Sequence, residues 1–405
     1  MQEENIKTLT FGCRLNALES EKIKNMLKPH IGCAVVVNTC AVTAEAERQS
    51  AQAVRKIARE NPNVTIFVTG CAATRNPDLF KSINNVIVIP NGQKTNLDAY
   101  ITAYRPIPAQ TLEQFTDTSE HLSKKFIQVQ NGCNHACAYC VTRLLRGSAM
   151  SFDYKEILEN AQKAVQDGFY EIVLTGVDIA SYAKKDNANV VFISDICKKL
   201  LTDVPGIKHL RLSSMDPASP ELYKIIDMIH SDSRMMPHLH LSMQSGSNTI
   251  LSSMGRRHSA DTVRKLVQHA TNITFSWDII CGFPGETDEL FNKTLDLVQE
   301  TKPIKIHAFP FSPRPDTVAA TMPNQIDRTI SKQRVKIITD VANENLKNYM
   351  TTQIGETVSV LAENNNIGRT PDDIPVKIIG KQIEPKTICD VTLTDITDSM
   401  FVGQI

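Results

Sequence analysis

Short apolar segments alternate with amphipathic helices between residues 126 and 309, and this alternation constrains the fold more than any other feature of the sequence. The apolar segments predict six strands, at residues 126–130, 171–174, 209–212, 238–243, 273–280 and 304–309. Helical periodicity fits between them, at residues 154–166, 195–201, 220–229, 260–270 and 288–300. Strands that alternate with helices form parallel sheets, and six such units in roughly 200 residues predict a barrel or an incomplete barrel.

A shorter alternation of the same kind occupies residues 1–95, for which we predict an N-terminal domain. Its strand candidates lie at residues 6–11, 33–37 and 64–68, and its helix candidates lie at residues 18–27, 45–59 and 77–83. The run at 33–37 is apolar throughout, as in a strand that is covered on both faces. The pattern predicts an α/β domain with a parallel sheet and right-handed crossovers.

Three further stretches complete the predicted organisation. Residues 96–123 are polar and contain Pro106 and Pro108, which predicts a linker. Residues 124–348 hold the partial (βα)6 barrel and end in a long helix at 328–346. Residues 349–405 predict a small antiparallel β-barrel, because turn residues separate short strands at 357–361, 376–379, 388–393 and 400–402.

Charge and polarity exclude several classes of protein. The 405 residues contain 44 Lys and Arg and 44 Asp and Glu, so the chain lacks the basic excess typical of nucleic-acid-binding proteins. The first five residues are polar and acidic, unlike a signal peptide, and no apolar run approaches the ~20 residues that span a bilayer. We therefore expect a cytoplasmic protein with no membrane partner, in which ten cysteines favour metal or cluster ligation over disulfides.

Cys133, Cys137 and Cys140, hereafter the barrel triad, lie within eight residues directly after the first predicted barrel strand. Three thiolates at this spacing can bind three irons of a cubane cluster and leave the fourth iron open, as a catalytic cluster requires. A structural zinc site is the alternative, because His135 lies in the same loop and would complete a set of four ligands. The tightness of the loop disfavours zinc.

Cys13, Cys40 and Cys71, hereafter the N-terminal triad, are far apart in sequence, but each lies just beyond the end of one of the first three predicted strands. Because parallel strands end at one edge of their sheet, we expect these three thiols to form a second cluster site. The alternative is that each is simply a small buried residue. We expect Cys33, Cys197 and Cys389 to be packing residues. For Cys281, which ends a barrel strand, we favour burial over a place at the mouth of the active site.

The Cys-x3-Cys-x2-Cys spacing, with Tyr139 before the last cysteine, resembles the radical S-adenosylmethionine (SAM) superfamily. The two triads in this order, followed by a small β tail, resemble the methylthiotransferase family over essentially the whole chain. The matching segments are 10–16, 38–43, 70–72, 174–178, 211–214, 239–246, 254–258, 278–287 and 309–314. Within the family they are most similar to the enzymes that act on N6-threonylcarbamoyladenosine, and the tail resembles the TRAM module.

This resemblance implies a reaction that adds a methylthio group at C2 of N6-threonylcarbamoyladenosine, beside the anticodon of tRNA. It implies two 4Fe–4S clusters: the one on the barrel triad would cleave SAM to a radical, and the other would hold or deliver sulfur. A second SAM would donate the methyl group. The implied partners are the tRNA anticodon loop, a sulfur donor and a low-potential reductant such as flavodoxin or ferredoxin. Because C2–H of adenine offers no acidic proton, acid–base chemistry cannot replace the radical cofactor.

The resemblance also implies roles for residues outside the triads. Tyr139 would lie near adenine. Gly176 and Asp178 would hold the methionine amine through backbone groups, although an ordinary βα turn is the alternative. The ends of later barrel strands supply further candidates for cofactor or substrate contact: Ser213, Gln244, Glu286 and Arg314. The candidate partners for the threonyl carboxylate are Arg143, Arg146 and Arg314.

His238 and His240 alternate with apolar residues and therefore share one face of a strand, where we expect hydrogen-bonded barrel histidines rather than metal ligands.

Two regions depart from the family pattern. The loop after Cys140 lacks the usual Pro-Tyr pair and the further arginine-rich stretch. From residue 351 onward, 4 Lys and Arg face 8 Asp and Glu, a net charge of 4 − 8 = −4, which disfavours RNA binding by the tail alone. Other candidates for RNA contact are Arg256, Arg257, Arg328, Lys332, Arg334 and Lys336. The alternative functions are methylthiolation of isopentenyladenosine tRNA or of a ribosomal protein, or a non-catalytic iron–sulfur or RNA-binding role.

Overall fold

The computed structural model describes residues 6–105, 123–186 and 189–405, which form two compact units. The first unit comprises residues 6–105 together with two short segments, Gly132–Asn134 and Cys140–Ser148. The second unit comprises residues 123–131, His135–Tyr139 and the chain from Ala149 to Ile405. Within the described residues, no helix is long and apolar enough to cross a membrane.

The first unit is built on a four-stranded parallel sheet. Its strands are adjacent in chain order: Ile6–Thr10, Ala34–Thr39, Thr65–Gly70 and Val86–Val88. The helices that accompany the sheet are Arg14–Leu27, Ala44–Glu60, Cys71–Arg75, Asp78–Lys81, Leu97–Ile101 and Thr142–Arg146, with a 3-10 turn at Asn91–Gln93. All residues of the second and third strands are buried, because helices cover both faces of the sheet.

The parallel sheet that the sequence predicts is confirmed, with two additions. The short fourth strand, Val86–Val88, was not predicted. The helix Leu97–Ile101 lies in the range predicted to be a linker, and it buries Tyr100, whose ring packs edge-on against Phe67 with 5.0 Å between centroids. Most of the predicted linker, residues 106–122, lies outside the described residues.

The second unit contains the six parallel strands predicted for the partial barrel. The strands are Lys125–Gln128, Glu171–Thr175, His209–Leu212, His238–Gln244, Thr274–Cys281 and Lys305–Pro310. They form two three-stranded sheets, which isolated parallel bridges join at Leu210–Met235 and Met215–Leu241. The helices are Tyr154–Gln166, Ile193–Asp203, Glu221–Ser231, Asn248–Ser253, Ala260–His269, Asp288–Thr301 and Arg328–Thr352. The α/β fold class is therefore confirmed. The sequence did not predict the hairpin formed by Ala183–Asp186 and Asn189–Phe192.

The tail forms a closed five-stranded barrel. Its strands are Thr357–Ala362, Ile367–Arg369, Pro375–Ile379, Ile388–Thr397 and Met400–Gln404. The small C-terminal barrel is confirmed, but the three-residue strand Ile367–Arg369 was missed, and Pro375–Ile379 pairs in parallel with Met400–Gln404.

Acidic residues of the tail bind the amino-terminal end of the larger barrel. Lys124 Nζ lies 2.9 Å from Asp373 Oδ1, and Thr274 donates to Asp372 Oδ1 at 2.9 Å. Arg211 donates to the carbonyl oxygen of Pro371 at 2.6 Å. Part of the acidic excess of the tail is therefore neutralised inside the second unit.

Candidate active site

The loop that carries the barrel triad is held by backbone hydrogen bonds. Cys133 N donates to Gly147 O at 3.1 Å. Ala138 N donates to Met254 O at 3.0 Å, and Ala138 O accepts from Ala319 N at 2.8 Å. These contacts fix the chain on both sides of Cys137.

Two N–H groups donate to sulfur atoms of the barrel triad. Thr142 N lies 3.4 Å from Cys140 Sγ, and Arg256 Nη1 lies 3.7 Å from Cys137 Sγ. Arg256 is buried, donates to Ser242 O at 2.9 Å and pairs with Asp216 at 3.3 Å. Donors of this kind stabilise the negative charge of a thiolate, so the surroundings suit an iron–sulfur cluster. No disulfide joins cysteines in the described part of the chain.

Gly176 and Asp178 lie in a turn that Gln130 organises. A Cβ on Gly176 would lie 2.7 Å from Gln130 O, which requires glycine there. Gln130 Oε1 accepts from Val177 N at 3.1 Å and from Asp178 N at 2.8 Å. The Asp178 carboxylate lies 2.8 Å from His135 Nε2, so this imidazole has a carboxylate partner within the second unit. A contact of the turn with SAM stays a prediction.

Ser213 and Gln244 lie at the carboxyl ends of barrel strands, where such barrels carry their active sites. Ser213 Oγ is buried without a hydrogen-bond partner among the described residues, which leaves it available to a ligand. Gln244 has a φ of 70° after a register shift in its strand, an uncommon conformation for a residue other than glycine. Tyr139 packs edge-on against Phe283, with 6.5 Å between ring centroids. Their roles in cofactor binding stay predictions.

Glu286 has a partner other than the predicted cofactor. Its carboxylate is buried, accepts from Gly282 N at 2.6 Å and pairs with Arg334 Nη1 at 2.9 Å. Burial raises the pKa of Glu286, although the Gly282 amide and Arg334 oppose that shift. Arg334 also pairs with Asp288 at 2.7 Å and is buried, so its predicted contact with RNA is wrong. This pair instead attaches the long helix Arg328–Thr352 to the barrel.

The three candidate arginines for the threonyl carboxylate differ in exposure. Arg143 is exposed on the helix Thr142–Arg146. Arg314 is buried, with 3% of its surface exposed. Arg146 forms an ion pair inside the first unit, where its Nη1 lies 2.9 Å from Glu19 Oε1, and its side chain is 5% exposed. A buried carboxylate already pairs with the Arg146 guanidinium, which favours Arg143 over Arg146 for the substrate carboxylate, and contact of Arg146 with the substrate stays a prediction.

The N-terminal triad lies at the carboxyl edge of the parallel sheet, as the sequence predicts. Cys13 lies three residues past its strand, whereas Cys40 and Cys71 directly follow the last residues of theirs, Thr39 and Gly70. A Cβ on Gly12, where φ is 94°, would lie 2.7 Å from Cys40 Sγ, so the Cys13 loop passes closely over Cys40. Burial raises the pKa of Cys40 to about 11; Cys13 and Cys71 add to this effect, and the Val42 amide opposes it.

Two N–H groups also donate to sulfur atoms of this triad. Val42 N lies 3.5 Å from Cys40 Sγ, and Asn91 Nδ2 lies 3.7 Å from Cys71 Sγ. The pattern matches that around the barrel triad and suits thiolates that bind a positively charged group.

The residues predicted to have only packing roles behave as expected. Cys197 and Cys281 are buried in the core of the second unit, while Cys33 and Cys389 are partly buried. His238 contacts Thr274 Oγ1 at 2.8 Å and Ser276 Oγ at 2.9 Å. His240 contacts Ser276 Oγ at 2.7 Å and Asp278 at 3.1 Å. Both histidines are therefore hydrogen-bonded barrel residues, which confirms the prediction.

The sequence did not reveal Gln130, which supports the turn at Gly176–Asp178, or the polar residues that support the triads: Asn16, Glu19, Asn91, Lys94 and Asp216. The sequence could have indicated a role for Asn16, because it is the last residue of the matching segment 10–16, which also contains Cys13. The others lie far in sequence from the groups they contact, and a single sequence contains no signal that pairs them.

Family models match two parts of the chain. The Radical SAM superfamily matches residues 127–298, and the Uncharacterized protein family UPF0004 matches residues 5–90. A radical SAM methyltransferase, TsrM from Kitasatospora setae, has a similar structure with a TM-score of 0.53 and 14% identity, covering 76% of this chain and 69% of that chain. That likeness supports the fold alone. The superfamily uses a 4Fe–4S cluster and SAM, and the barrel triad with its N–H donors fits such a cluster.

Curated relatives match nearly the whole chain. The threonylcarbamoyladenosine tRNA methylthiotransferase MtaB of Rickettsia prowazekii is 39% identical, over 91% of this chain and 90% of that protein. The enzyme of the same name from Chlamydia pneumoniae is 32% identical, over 98% and 97%. A tRNA-2-methylthio-N(6)-dimethylallyladenosine synthase of Rickettsia conorii is 29% identical, over 98% of both chains. The chain therefore belongs to the radical SAM methylthiotransferase family.

Proposed function

We propose that this protein is a tRNA methylthiotransferase that replaces C2–H of N6-threonylcarbamoyladenosine, beside the anticodon, with a methylthio group. The observation that carries this proposal is its 39% identity, over nine-tenths of both chains, to a relative named for that substrate. The second candidate substrate is tRNA that contains dimethylallyladenosine, also called isopentenyladenosine. A Rickettsia conorii enzyme named for that substrate is 29% identical to this chain. Both substrates present the same unactivated C2–H bond.

The barrel triad is proposed to hold the catalytic 4Fe–4S cluster. When bound, this cluster and SAM supply an organic radical that can take a hydrogen atom from an unactivated carbon. Arg256, fixed by Asp216 and Ser242, keeps a cation against Cys137. Gln130 fixes the turn at Gly176–Asp178, and Ser213 Oγ is a further candidate for cofactor contact.

The N-terminal triad is proposed to hold a second 4Fe–4S cluster that carries or delivers the sulfur. Its support is the convergence of three strand ends and the N–H donors that face Cys40 and Cys71. In this proposal the residues up to 95 form the sulfur-handling domain, residues 124–348 the radical domain and residues 349–405 a TRAM-like module. A sulfur donor, a second SAM and a low-potential reductant such as flavodoxin or ferredoxin complete the system, in the cytoplasm.

Arg143 is the best candidate for binding the threonyl carboxylate, because Arg146 is paired with Glu19 and Arg314 is buried. A carboxylate needs a cationic or hydrogen-bonding partner, whereas an isopentenyl group needs an apolar pocket. The variant Arg143→Gln should raise KM for threonylcarbamoyl-tRNA about tenfold or more. It should spare SAM cleavage without tRNA, and Lys377→Gln, which removes an exposed cation from the tail, serves as the control.

The deciding experiment gives reconstituted enzyme two tRNAs that differ only in the N6 group, threonylcarbamoyl or isopentenyl, and identifies products by nucleoside mass spectrometry. We expect the methylthio product from the first. If only isopentenyl-tRNA gives the product, the substrate is isopentenyladenosine tRNA instead, and the proposed radical mechanism still holds. Methylthiolation of a ribosomal protein in place of either tRNA would indicate the protein-modifying subgroup. Failure to form 5′-deoxyadenosine under all conditions would indicate a non-catalytic protein.

A further inference from the structure

A buried ion cluster lies beneath the N-terminal triad. Glu19 Oε2 lies 2.5 Å from Lys94 Nζ, and Glu19 Oε1 lies 2.9 Å from Arg146 Nη1. The three side chains are 3–6% exposed. Arg146 belongs to the segment directly after Cys140, so the chain that carries the barrel triad also supplies a cation to the first unit.

Asn16 connects this ion cluster to the segments that carry Cys13 and Cys40. Arg146 Nη2 donates to Asn16 Oδ1 at 2.6 Å. Asn16 Nδ2 in turn donates to Phe11 O at 2.8 Å and to Thr39 O at 3.2 Å. Phe11 lies two residues before Cys13, and Thr39 directly precedes Cys40. The position of Arg146 is therefore coupled to two of the three cysteine segments.

Asn91 makes the corresponding connection to the third cysteine. Lys94 Nζ donates to Asn91 Oδ1 at 3.1 Å, and Asn91 Nδ2 contacts Cys71 Sγ at 3.7 Å. Asn91 Nδ2 also donates to Leu145 O at 3.2 Å, directly before Arg146. One hydrogen-bonded network thus reaches all three cysteine segments.

The network has two basic side chains and one carboxylate. Buried cations attract a nearby anionic group strongly, because little water screens the attraction. Three thiolates on a 4Fe–4S cluster provide such a group. A nearby positive charge also favours the reduced cluster, which carries one more negative charge, and the effect is strong where water is excluded.

We propose that Arg146 is a positioning residue for the second cluster, and that the Glu19–Arg146 pair sets the reduction potential of that cluster. This inference rests on the proposed function, which assigns a cluster to Cys13, Cys40 and Cys71. Arg146 acts through hydrogen bonds and charge, without contact with the substrate.

The test is a redox titration of the full-length, two-cluster protein in which electron paramagnetic resonance detects the reduced clusters. The signal of the second cluster is identified by its loss when Cys13, Cys40 and Cys71 are changed to Ala. Arg146→Gln should shift the ratio of oxidised to reduced cluster about tenfold toward oxidised at a fixed potential, or ~59 mV for one electron. Glu19→Gln should shift it in the opposite direction. Arg146→Lys should stay closer to wild type than Arg146→Gln.

Arg143→Gln is the matched control, because it removes an exposed charge from the same short helix and should leave the potential unchanged. The inference is overturned if Arg146→Gln and Glu19→Gln shift the potential in the same direction, or by no more than Arg143→Gln. If Arg146→Gln does not retain the cluster, Glu19→Gln alone tests the inference: a shift toward reduced cluster supports it, and a shift toward oxidised cluster or no shift overturns it. A wild-type protein with about four irons and no signal dependent on Cys13, Cys40 and Cys71 would instead refute the second cluster itself.

Discussion

The barrel triad and the N-terminal triad have similar surroundings but are assembled differently. The barrel triad lies within eight consecutive residues, whereas the N-terminal triad collects one cysteine from each of three strand ends. Each triad has a neighbouring buried arginine that pairs with a buried carboxylate, Arg256 with Asp216 and Arg146 with Glu19. A short loop keeps its cysteines near one another even when packing relaxes. Three strand ends remain together only while the sheet keeps its register.

The largest expected effect comes from removing the barrel triad. Wild-type protein reconstituted without oxygen should hold about eight irons, and changing Cys133, Cys137 and Cys140 to Ala should leave about four. Formation of 5′-deoxyadenosine should cease, because no other site in this proposal binds SAM for reductive cleavage. Iron analysis and chromatography measure both results, with Cys389→Ala as a control outside both triads. A variant that still makes 5′-deoxyadenosine would place the radical chemistry elsewhere.

Removing the N-terminal triad should separate radical formation from sulfur insertion. With Cys13, Cys40 and Cys71 changed to Ala, the iron content should again fall by half, yet SAM cleavage should persist. The methylthio nucleoside should be absent, because the proposed sulfur site is lost. Mass spectrometry of the tRNA product provides the measurement. Product at the wild-type level would contradict the sulfur role of this triad.

A packing variant tests whether the N-terminal triad depends more on its sheet. Val36 is fully buried in the strand Ala34–Thr39 that precedes Cys40, and Val36→Ala should cost about 2 kcal/mol of unfolding free energy. A chelator should then remove iron from the N-terminal triad severalfold faster. The matched variant Val173→Ala, equally buried in the second unit, should not release iron from the barrel triad comparably. Equal rates of iron release from the two triads would show that the N-terminal triad depends on packing no more than the barrel triad does.

The smallest expected effect on activity concerns the acid stability of the unit that contains the six-stranded barrel, because this effect develops only below pH ~4. Burial raises the pKa of Glu171, but Arg211, His209 and Lys124 outweigh it and lower the pKa to about 2. Because the folded pKa lies below the unfolded value of about 4.3, the contribution is present above that value and is lost as pH falls from ~4 toward 2. It is on the order of 3 kcal/mol.

Trp277, the one tryptophan in the chain, is buried in the barrel core and reports unfolding of this unit by fluorescence. Glu171→Gln should lower the stability at pH 7 and weaken its dependence on pH below 4. A stability loss centred near pH 6 in wild type would implicate a histidine instead of Glu171.

The sequence by itself determined the strand and helix order, the β-barrel tail and the cysteine positions of both triads. These features depend on local hydrophobic periodicity and on the rule that parallel strands end at one edge, so each can be inferred from neighbouring residues. The six predicted barrel strands are present, and the helix Tyr154–Gln166 has the predicted bounds. The short elements Val86–Val88 and Ile367–Arg369 were missed, because three residues contain too little periodicity.

Only the tertiary structure decided which charges pair. Arg146, Glu286 and Arg334 had the sequence positions of ligand-binding residues, yet each pairs with a buried partner 48 or more residues away. Asp373 likewise pairs with Lys124, 249 residues away, and Asp372 accepts a hydrogen bond from Thr274. Desolvation makes an unpaired buried charge costly, so long-range packing selects the partner, and a single sequence contains no record of that selection.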